Sequence, residues 1–125
     1  MTTQDKMTAI YVRTGVHSGS TDQSLATQEQ ACRSYASALG WPVGEVFADA
    51  GIAGTRRDRP GMERLLAAVR DGTIERVLVA GPDRLSRSHA DIKTIVHEME
   101  ARGVECVSVE QPVYAPGPAT KPVEE

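Results

Sequence analysis

The sequence contains little of what extracellular, membrane or metal-binding proteins are built from. Its two cysteines, Cys32 and Cys106, lie far apart along the chain and share no metal-ligand spacing. We expect both to be reduced, buried thiols, because isolated cysteines stay free in reducing compartments. No apolar run approaches the ~18 residues of a membrane span, and the N-terminus MTTQDK lacks the basic-then-apolar pattern of a signal peptide. These absences predict a cytoplasmic protein that does not contact the membrane.

Lysine is also scarce, since only three of the 14 basic residues are lysines and the rest are arginines. The formal net charge of -3 gives no overall field that would draw the chain onto nucleic acid, so any anion site depends on local clustering. His17, His89 and His97 have no metal-binding spacing. No glycine-rich segment matches a dinucleotide fingerprint or an NTPase phosphate loop. We therefore expect neither a metal nor a cofactor.

Strand and helix patterns alternate along most of the chain. The predicted strands cover 9–13, 41–49, 74–80 and 104–109. The first predicted helix, 24–40, has Ser24 as its N-cap, Gly40 as its C-cap and one apolar face formed by Leu25, Cys32, Tyr35 and Leu39. Asp58 and Pro60 introduce the second helix, which ends near Gly72, and a third helix runs to Gly103.

The order β-α-β-α-β-α-β with short connections predicts an α/β fold. We expect three layers, with a mainly parallel sheet of four or five strands and helices on both of its faces. The length of 125 residues suits one domain, predicted over 9–110. A flexible N-terminus, 1–8, and a disordered proline-rich tail, 111–125, are expected to flank it.

Three segments follow strands at the edge where parallel sheets bind ligands: TGVHSGST, DAGIAGTRRDR and GPDRLSRS. They concentrate arginine, whose planar guanidinium group matches two phosphate oxygens at once. Two such cations ~6 Å apart repel by roughly 3 kcal/mol at an effective dielectric constant of ~20, so a cluster requires anions. Neighbouring aspartates would satisfy a set of surface arginines. For Arg13, Arg84 and Arg87, at the ends of central strands, a phosphate site is the better interpretation.

Four segments carry a resemblance to a known family: YVR (11–13), QSLATQ (23–28), FADAGIAGTRRDRPGMERLL (47–66) and PDRLSR (82–87). In this order they resemble the opening Tyr-x-Arg, the helix start, the Asp-Arg-Pro segment and the Asp-Arg-Leu-Ser-Arg signature of serine recombinases of the resolvase/invertase type. The resemblance extends from about Ala9 to about Glu110. It implies the resolvase-like version of the fold predicted above.

In that family a serine attacks a DNA phosphodiester, without metal or cofactor, while arginines stabilise the charge on the phosphate oxygens. By resemblance, the phosphate-binding residues here are Arg13, Arg59, Arg84 and Arg87. Asp83 would orient the arginines, manage protons or simply pair with them. The resemblance also implies supporting roles for Gln23, Gln28, Asp49 and Ser86.

The family's nucleophile stands two residues after the strand-ending arginine, where this chain has Gly15. Thr14 is one position out of register, so a strand would point its side chain away from that of Arg13. Ser18 and Ser20 lie in a glycine-flanked loop, and we take Ser20 as a candidate substitute nucleophile. Ala53 is a second departure, because the family pattern has serine there.

Three functions are compatible with these observations. The first is a pseudoenzyme that binds DNA weakly through phosphates, or binds a recombinase partner, as a monomer or weak dimer. The second is an active site-specific DNA recombinase domain that uses Ser18 or Ser20. The third is a small nucleotide-binding domain.

Overall fold

The computed structural model of the protein describes residues 7–14, 24–50, 59–86 and 88–109. Its elements are β1 (Met7–Arg13), α1 (Leu25–Leu39), β2 (Val43–Asp49), α2 (Pro60–Asp71), β3 (Ile74–Val79), a 3₁₀ turn (Pro82–Arg84), α3 (His89–Ala101) and β4 (Glu105–Ser108). The predicted order of strands and helices is confirmed. Most boundaries lie within two residues of the predicted ones. Residues 7 and 8 of the predicted flexible N-terminus belong to β1, whereas residues 1–6 and the tail lie outside the described residues.

The four strands form one parallel sheet in the order β2-β1-β3-β4. Successive residues of β1 point to opposite faces of this sheet. Ala9 and Tyr11 pack with α2 and α3, whereas Ile10 and Val12 pack with α1. The predicted three-layer α/β fold is therefore confirmed, with four strands in the described part of the chain.

The caps of α1 agree with the prediction, but its buried face does not fully do so. The Ser24 side chain accepts a hydrogen bond from the Thr27 N–H, and Gly40 adopts a left-handed conformation with φ of 74°. Leu39 belongs to the predicted apolar face but is 43% exposed in the last turn of the helix. Gln28 takes a place on the buried face instead and is fully buried.

Both cysteines are free thiols, and they pack on opposite faces of the sheet. Cys32, in α1, is buried against the sheet, while Cys106 is only partly buried on the side of α2 and α3. Among the described helices, none combines the length and hydropathy that a membrane span requires.

The N-terminus of α2 is held by a side chain from β2. The Asp49 carboxylate accepts hydrogen bonds from the backbone N–H groups of Gly61 (2.8 Å) and Met62 (2.9 Å). These are two of the N–H groups that a helix leaves unsatisfied in its first turn. The negative charge of Asp49 also lies at the positive end of the helix dipole. Asp49 thereby fixes α2 to the end of β2.

A tyrosine from β1 completes this contact. The Tyr11 hydroxyl donates a hydrogen bond to Asp49 Oδ2 at 2.7 Å, and both residues are buried. Burial raises the pKa of Tyr11, and the hydrogen bond to Asp49 raises it further. The positive charges of Arg59 and Arg13 partly oppose this rise, because they favour the phenolate. One buried pair thus links β1, β2 and α2.

We predict that Gly61→Ala lowers the free energy of unfolding by about 1–3 kcal/mol, as overpacking does. A Cβ at this position would lie 2.6 Å from the Ala48 carbonyl oxygen and 2.9 Å from Asp49 Cγ. Chemical denaturation measures the change. Ala67→Gly, at an exposed position of the same helix, is the control for helix propensity. Glycine in place of alanine in a helix costs about 1 kcal/mol. A more stable Gly61→Ala variant would show that the close approach does not constrain α2.

We predict that Tyr11 makes stability depend on pH above about 10, where unfolded tyrosine ionises. Because the folded pKa of Tyr11 is raised, only the unfolded state releases this proton, so its contribution to stability is present below pH ~10 and lost above it. The loss is about 1.4 kcal/mol per pH unit. Urea unfolding between pH 9 and 11.5 compares the chain with Tyr11→Phe, which lacks this dependence. Parallel curves for the two proteins would contradict the assignment.

Candidate functional site at the carboxyl ends of the strands

Arg13 is the last residue of β1, and α1 fixes its backbone. The Arg13 N–H donates to Gln28 Oε1 at 3.1 Å, and Gln28 Nε2 donates to the Arg13 carbonyl at 2.9 Å. On the other side, the Thr14 N–H donates to the Asp49 carbonyl at 3.1 Å. The buried Gln28 amide therefore bonds to the end of β1 as a neighbouring strand would, beyond the point where pairing with β3 stops at Ile10.

The Arg13 side chain crosses to the segment that follows β3, residues 82–86. Its Nη2 donates to the Asp83 carbonyl at 2.7 Å and its Nε to the Arg84 carbonyl at 3.2 Å. In return, Arg84 Nη1 donates to the Arg13 carbonyl at 3.2 Å. The two predicted phosphate-binding arginines are thus brought together, and each bonds to the other's backbone.

Arg59, the residue that precedes α2, reaches the same segment. Its Nη1 donates to the Leu85 carbonyl at 2.5 Å, and its Nη2 lies 3.5 Å from Asp91 Oδ2. Asp83, Arg84 and Leu85 therefore present three consecutive carbonyl oxygens to two buried guanidinium groups. We call Arg13, Arg59 and Arg84 the arginine cluster.

The members of the arginine cluster differ in exposure. Arg13 and Arg59 are 2% and 1% exposed, so their guanidinium groups hold the protein backbone in this structure. Arg84 is more open, with a side chain that is 11% exposed. Asp83 lies at the surface, its side chain 67% exposed and its Oδ1 3.8 Å from Arg84 Nε. Buried charge in the described ranges comprises this cluster and two carboxylates, Asp49 and Asp91.

The supporting residues predicted from the sequence have structural roles at this edge. Gln28 holds the end of β1, and Asp49 holds the start of α2. Ser86 is fully buried, and its Oγ accepts a hydrogen bond from the Ser88 N–H at 3.1 Å. Seven residues discussed in the sequence analysis lie outside the described residues: Gly15, Ser18, Ser20, Gln23, Ala53, Asp58 and Arg87.

Two contributors to the site were not predicted from the sequence as such: the Tyr11 hydroxyl and the Asp91 carboxylate. Tyr11 belongs to the YVR segment, and strand alternation suggests only that it is a core residue. Asp91 stands three residues after the N-cap Ser88, a common place for an acidic residue, so its position alone does not signal a partner. In the part of the chain that is described, no three of the side chains that usually bind metals lie together.

Comparison with known proteins agrees with this geometry. Residues 8–124 match the family described as "Resolvase, N terminal domain". The chain is 33% identical over 89 residues to the transposon Tn552 resolvase of Staphylococcus aureus, covering 71% of this chain and 41% of that protein. It is 37% identical over 67 residues to the Tn552 DNA-invertase BinR of Staphylococcus aureus, covering 54% of this chain and 33% of that protein. The chain thus spans less than half the length of either relative.

Solved structures show the same fold. The N-terminal catalytic domain of TP901-1 integrase superposes with a TM-score of 0.77 at 31% identity, over 86% of this chain and 79% of that one. The C-terminal catalytic domain of ISC1926 TnpA, an IS607-like serine recombinase, gives 0.73 at 27% identity, over 82% and 70%. The family match covers nearly the whole chain, including every strand and helix that builds the arginine cluster. The chain therefore belongs to the resolvase N-terminal domain family of serine recombinases.

Proposed function

We propose that this domain binds DNA phosphate at the arginine cluster and does not cleave the strand, because Gly15 stands where the family has its nucleophile. One observation carries the proposal. The side chains of Arg13, Arg59 and Arg84 converge on the carboxyl ends of β1 and β3, where parallel sheets bind their ligands.

The charges at this edge favour an anion. The buried residues of the described ranges include three guanidinium groups and two carboxylates. Asp49 already accepts three hydrogen bonds from Tyr11, Gly61 and Met62. A phosphate that approaches the more exposed Arg84 would add negative charge where positive charge is in excess. A planar guanidinium group can bind two phosphate oxygens together, which a lysine cannot do.

The absence of cleavage follows from the residues after β1. Glycine has no hydroxyl, and loss of a nucleophile costs on the order of a millionfold in other serine enzymes. Thr14 does not replace it, because strand alternation points its side chain away from that of Arg13. Ser18 and Ser20 would have to reach the phosphate from a longer loop, and ~1 Å of misplacement already costs about a hundredfold.

A domain that retains the site without cleavage would act through binding. We propose a cytoplasmic protein, a monomer or weak dimer, that contacts DNA phosphates weakly or joins a cleavage-competent recombinase on its DNA. The net charge of -3 limits affinity for DNA by this chain alone.

We predict no covalent protein–DNA adduct from this chain on a pool of nicked duplexes of randomised sequence, analysed on denaturing gels. Gly15→Ser restores a hydroxyl at the family position and is expected to produce an adduct, whereas Gly15→Ala, its matched control, is not. An adduct formed by the unmodified chain and abolished by Ser18→Ala or Ser20→Ala would instead establish an active recombinase domain.

We predict that DNA binding is weak and falls with salt at a slope of about -0.9 per phosphate contacted in a plot of log affinity against log salt concentration. Arg84→Ala should weaken binding at low salt by about tenfold to a hundredfold, since a charge-assisted hydrogen bond contributes about 1.5–3 kcal/mol. Arg33→Ala is the matched control, because Arg33 is an exposed arginine that pairs with Glu29 on α1. Equal losses from both variants would place DNA binding elsewhere. Micromolar or tighter binding at physiological salt would contradict the weak affinity.

A further inference from the structure

Within the described residues, two ion pairs join α2 and its N-cap to α3, one at each end of the helices. Arg70 Nε lies 3.3 Å from Glu98 Oε2 at the end away from the arginine cluster, and both side chains are substantially exposed, at 49% and 32%. Arg59 and Asp91 form the other pair, at 1% and 9% exposure. An exposed pair contributes little to stability, whereas separating a buried one leaves an uncompensated charge in the interior. The two pairs therefore have different consequences although they connect the same elements.

The contacts of Arg59 leave its guanidinium group dependent on Asp91. Nη1 donates to the Leu85 carbonyl, and the buried Nε has no hydrogen-bond partner among the described residues. Nη2 faces Asp91 Oδ2 at 3.5 Å, longer than the usual charge-assisted hydrogen bond of 2.7–2.9 Å. Asp91 therefore acts on Arg59 mainly through its charge, which keeps the cation in the interior where it reaches Leu85.

Asp91 is itself connected to the 82–86 segment by a second route. Its backbone N–H donates to the N-cap oxygen of Ser88 at 3.2 Å, and the Ser88 N–H donates to Ser86 Oγ at 3.1 Å. Ser86 is fully buried. The first turn of α3 thus holds Ser86 directly along the chain and Leu85 through Arg59.

We propose that Asp91 is a positioning residue of the phosphate site. By holding Arg59 in the interior it fixes the Leu85 carbonyl, and with it the 3₁₀ turn that carries Arg84. Without the Asp91 charge, the Arg59 guanidinium group turns toward water, because burying an unpaired cation is costly. The 82–86 segment then loses one of the arginines that hold its carbonyl oxygens. The effect of Asp91 on DNA binding rests on the proposed function, whereas its effect on the segment does not.

The test uses Asp91→Asn, which removes the charge and keeps the shape, with Glu98→Gln as the matched control at the exposed pair. Hydrogen exchange is followed at the Arg84 and Leu85 amides, which bond to the Gly81 and Pro82 carbonyls. In Asp91→Asn these amides should exchange about tenfold faster or more, while exchange in α2 and β3 is unchanged. Affinity for a short DNA duplex at low salt should fall by a similar factor, because the displaced Arg84 no longer meets the phosphate. Glu98→Gln should change neither quantity.

A double-mutant cycle separates this role from simple bracing of the two helices. Arg59→Lys retains the charge beside Asp91 but lacks the fork that also reaches Leu85, so it should raise exchange at the same two amides. Adding Asp91→Asn to Arg59→Lys should then have little further effect on their exchange, since both changes act through one contact. If Asp91→Asn is too unstable to measure in buffer alone, the same exchange experiment is run in a stabilising osmolyte, and unchanged exchange in Arg59→Lys overturns the proposal in either case.

The remaining outcomes are also decisive. A lower melting temperature in Asp91→Asn, with wild-type exchange at Arg84 and Leu85 and wild-type DNA affinity, would make Asp91 only a brace between helices and overturn the proposal. Faster exchange at these amides in a protein whose parent does not bind DNA would leave the positioning role intact and refute the proposed function.

Discussion

The architecture of the site depends on arginine side chains that donate to main-chain carbonyl oxygens in the interior. Arg13 and Arg59 bond to the carbonyls of Asp83, Arg84 and Leu85, and both guanidinium groups are almost fully buried. A buried carbonyl oxygen without a hydrogen-bond partner costs free energy, and guanidinium groups have the donors that such an oxygen needs. The same contacts place permanent positive charge beneath the edge of the sheet. The contacts that order the 82–86 segment therefore also bring the positive charge of the site into place.

Hydrogen bonds of buried polar side chains also fix the beginnings of helices to the ends of strands. Asp49 at the end of β2 caps α2, Tyr11 from β1 supports Asp49, and Gln28 from α1 bonds to the end of β1. Each of these polar groups is buried and hydrogen-bonded, as buried polar groups usually are. Because these contacts cross between elements, a change at one strand end is transmitted to the start of a neighbouring helix. Such contacts between elements would fix the orientation of the phosphate that we propose for this site.

Local sequence patterns predicted where the strands and helices lie. They did not predict the features that depend on contacts between elements. The β-rich run at 9–13 correctly predicted β1, and Ser24 and Gly40 correctly predicted the caps of α1. Apolarity alone did not predict that Leu39 would be exposed, because a residue in the last turn of a helix can extend beyond the sheet. Nor could spacing reveal that Asp49, eleven residues before Pro60, caps α2, because that contact exists only after the sheet has formed.

The candidate site was predicted in composition more than in geometry. The motif segments indicated Arg13, Arg59 and Arg84, and the topology brings them together at one edge. The sequence did not indicate that Arg13 and Arg59 would donate hydrogen bonds to backbone carbonyls, since any arginine near a strand end has the same local pattern. Asp91 was missed for a related reason, because an acidic residue in a first turn is ordinary until its partner is known.

In our proposal, the arginine cluster forms an ordered anion site whose accessible member is Arg84. The most direct measurement is an NMR titration that follows the arginine Nε–Hε resonances as a short DNA duplex is added at low salt. The resonance of Arg84 should shift saturably and return when salt is raised, while that of Arg33, an exposed arginine on α1, stays in place. Equal shifts at both residues, or a shift at Arg33 alone, would contradict the claim.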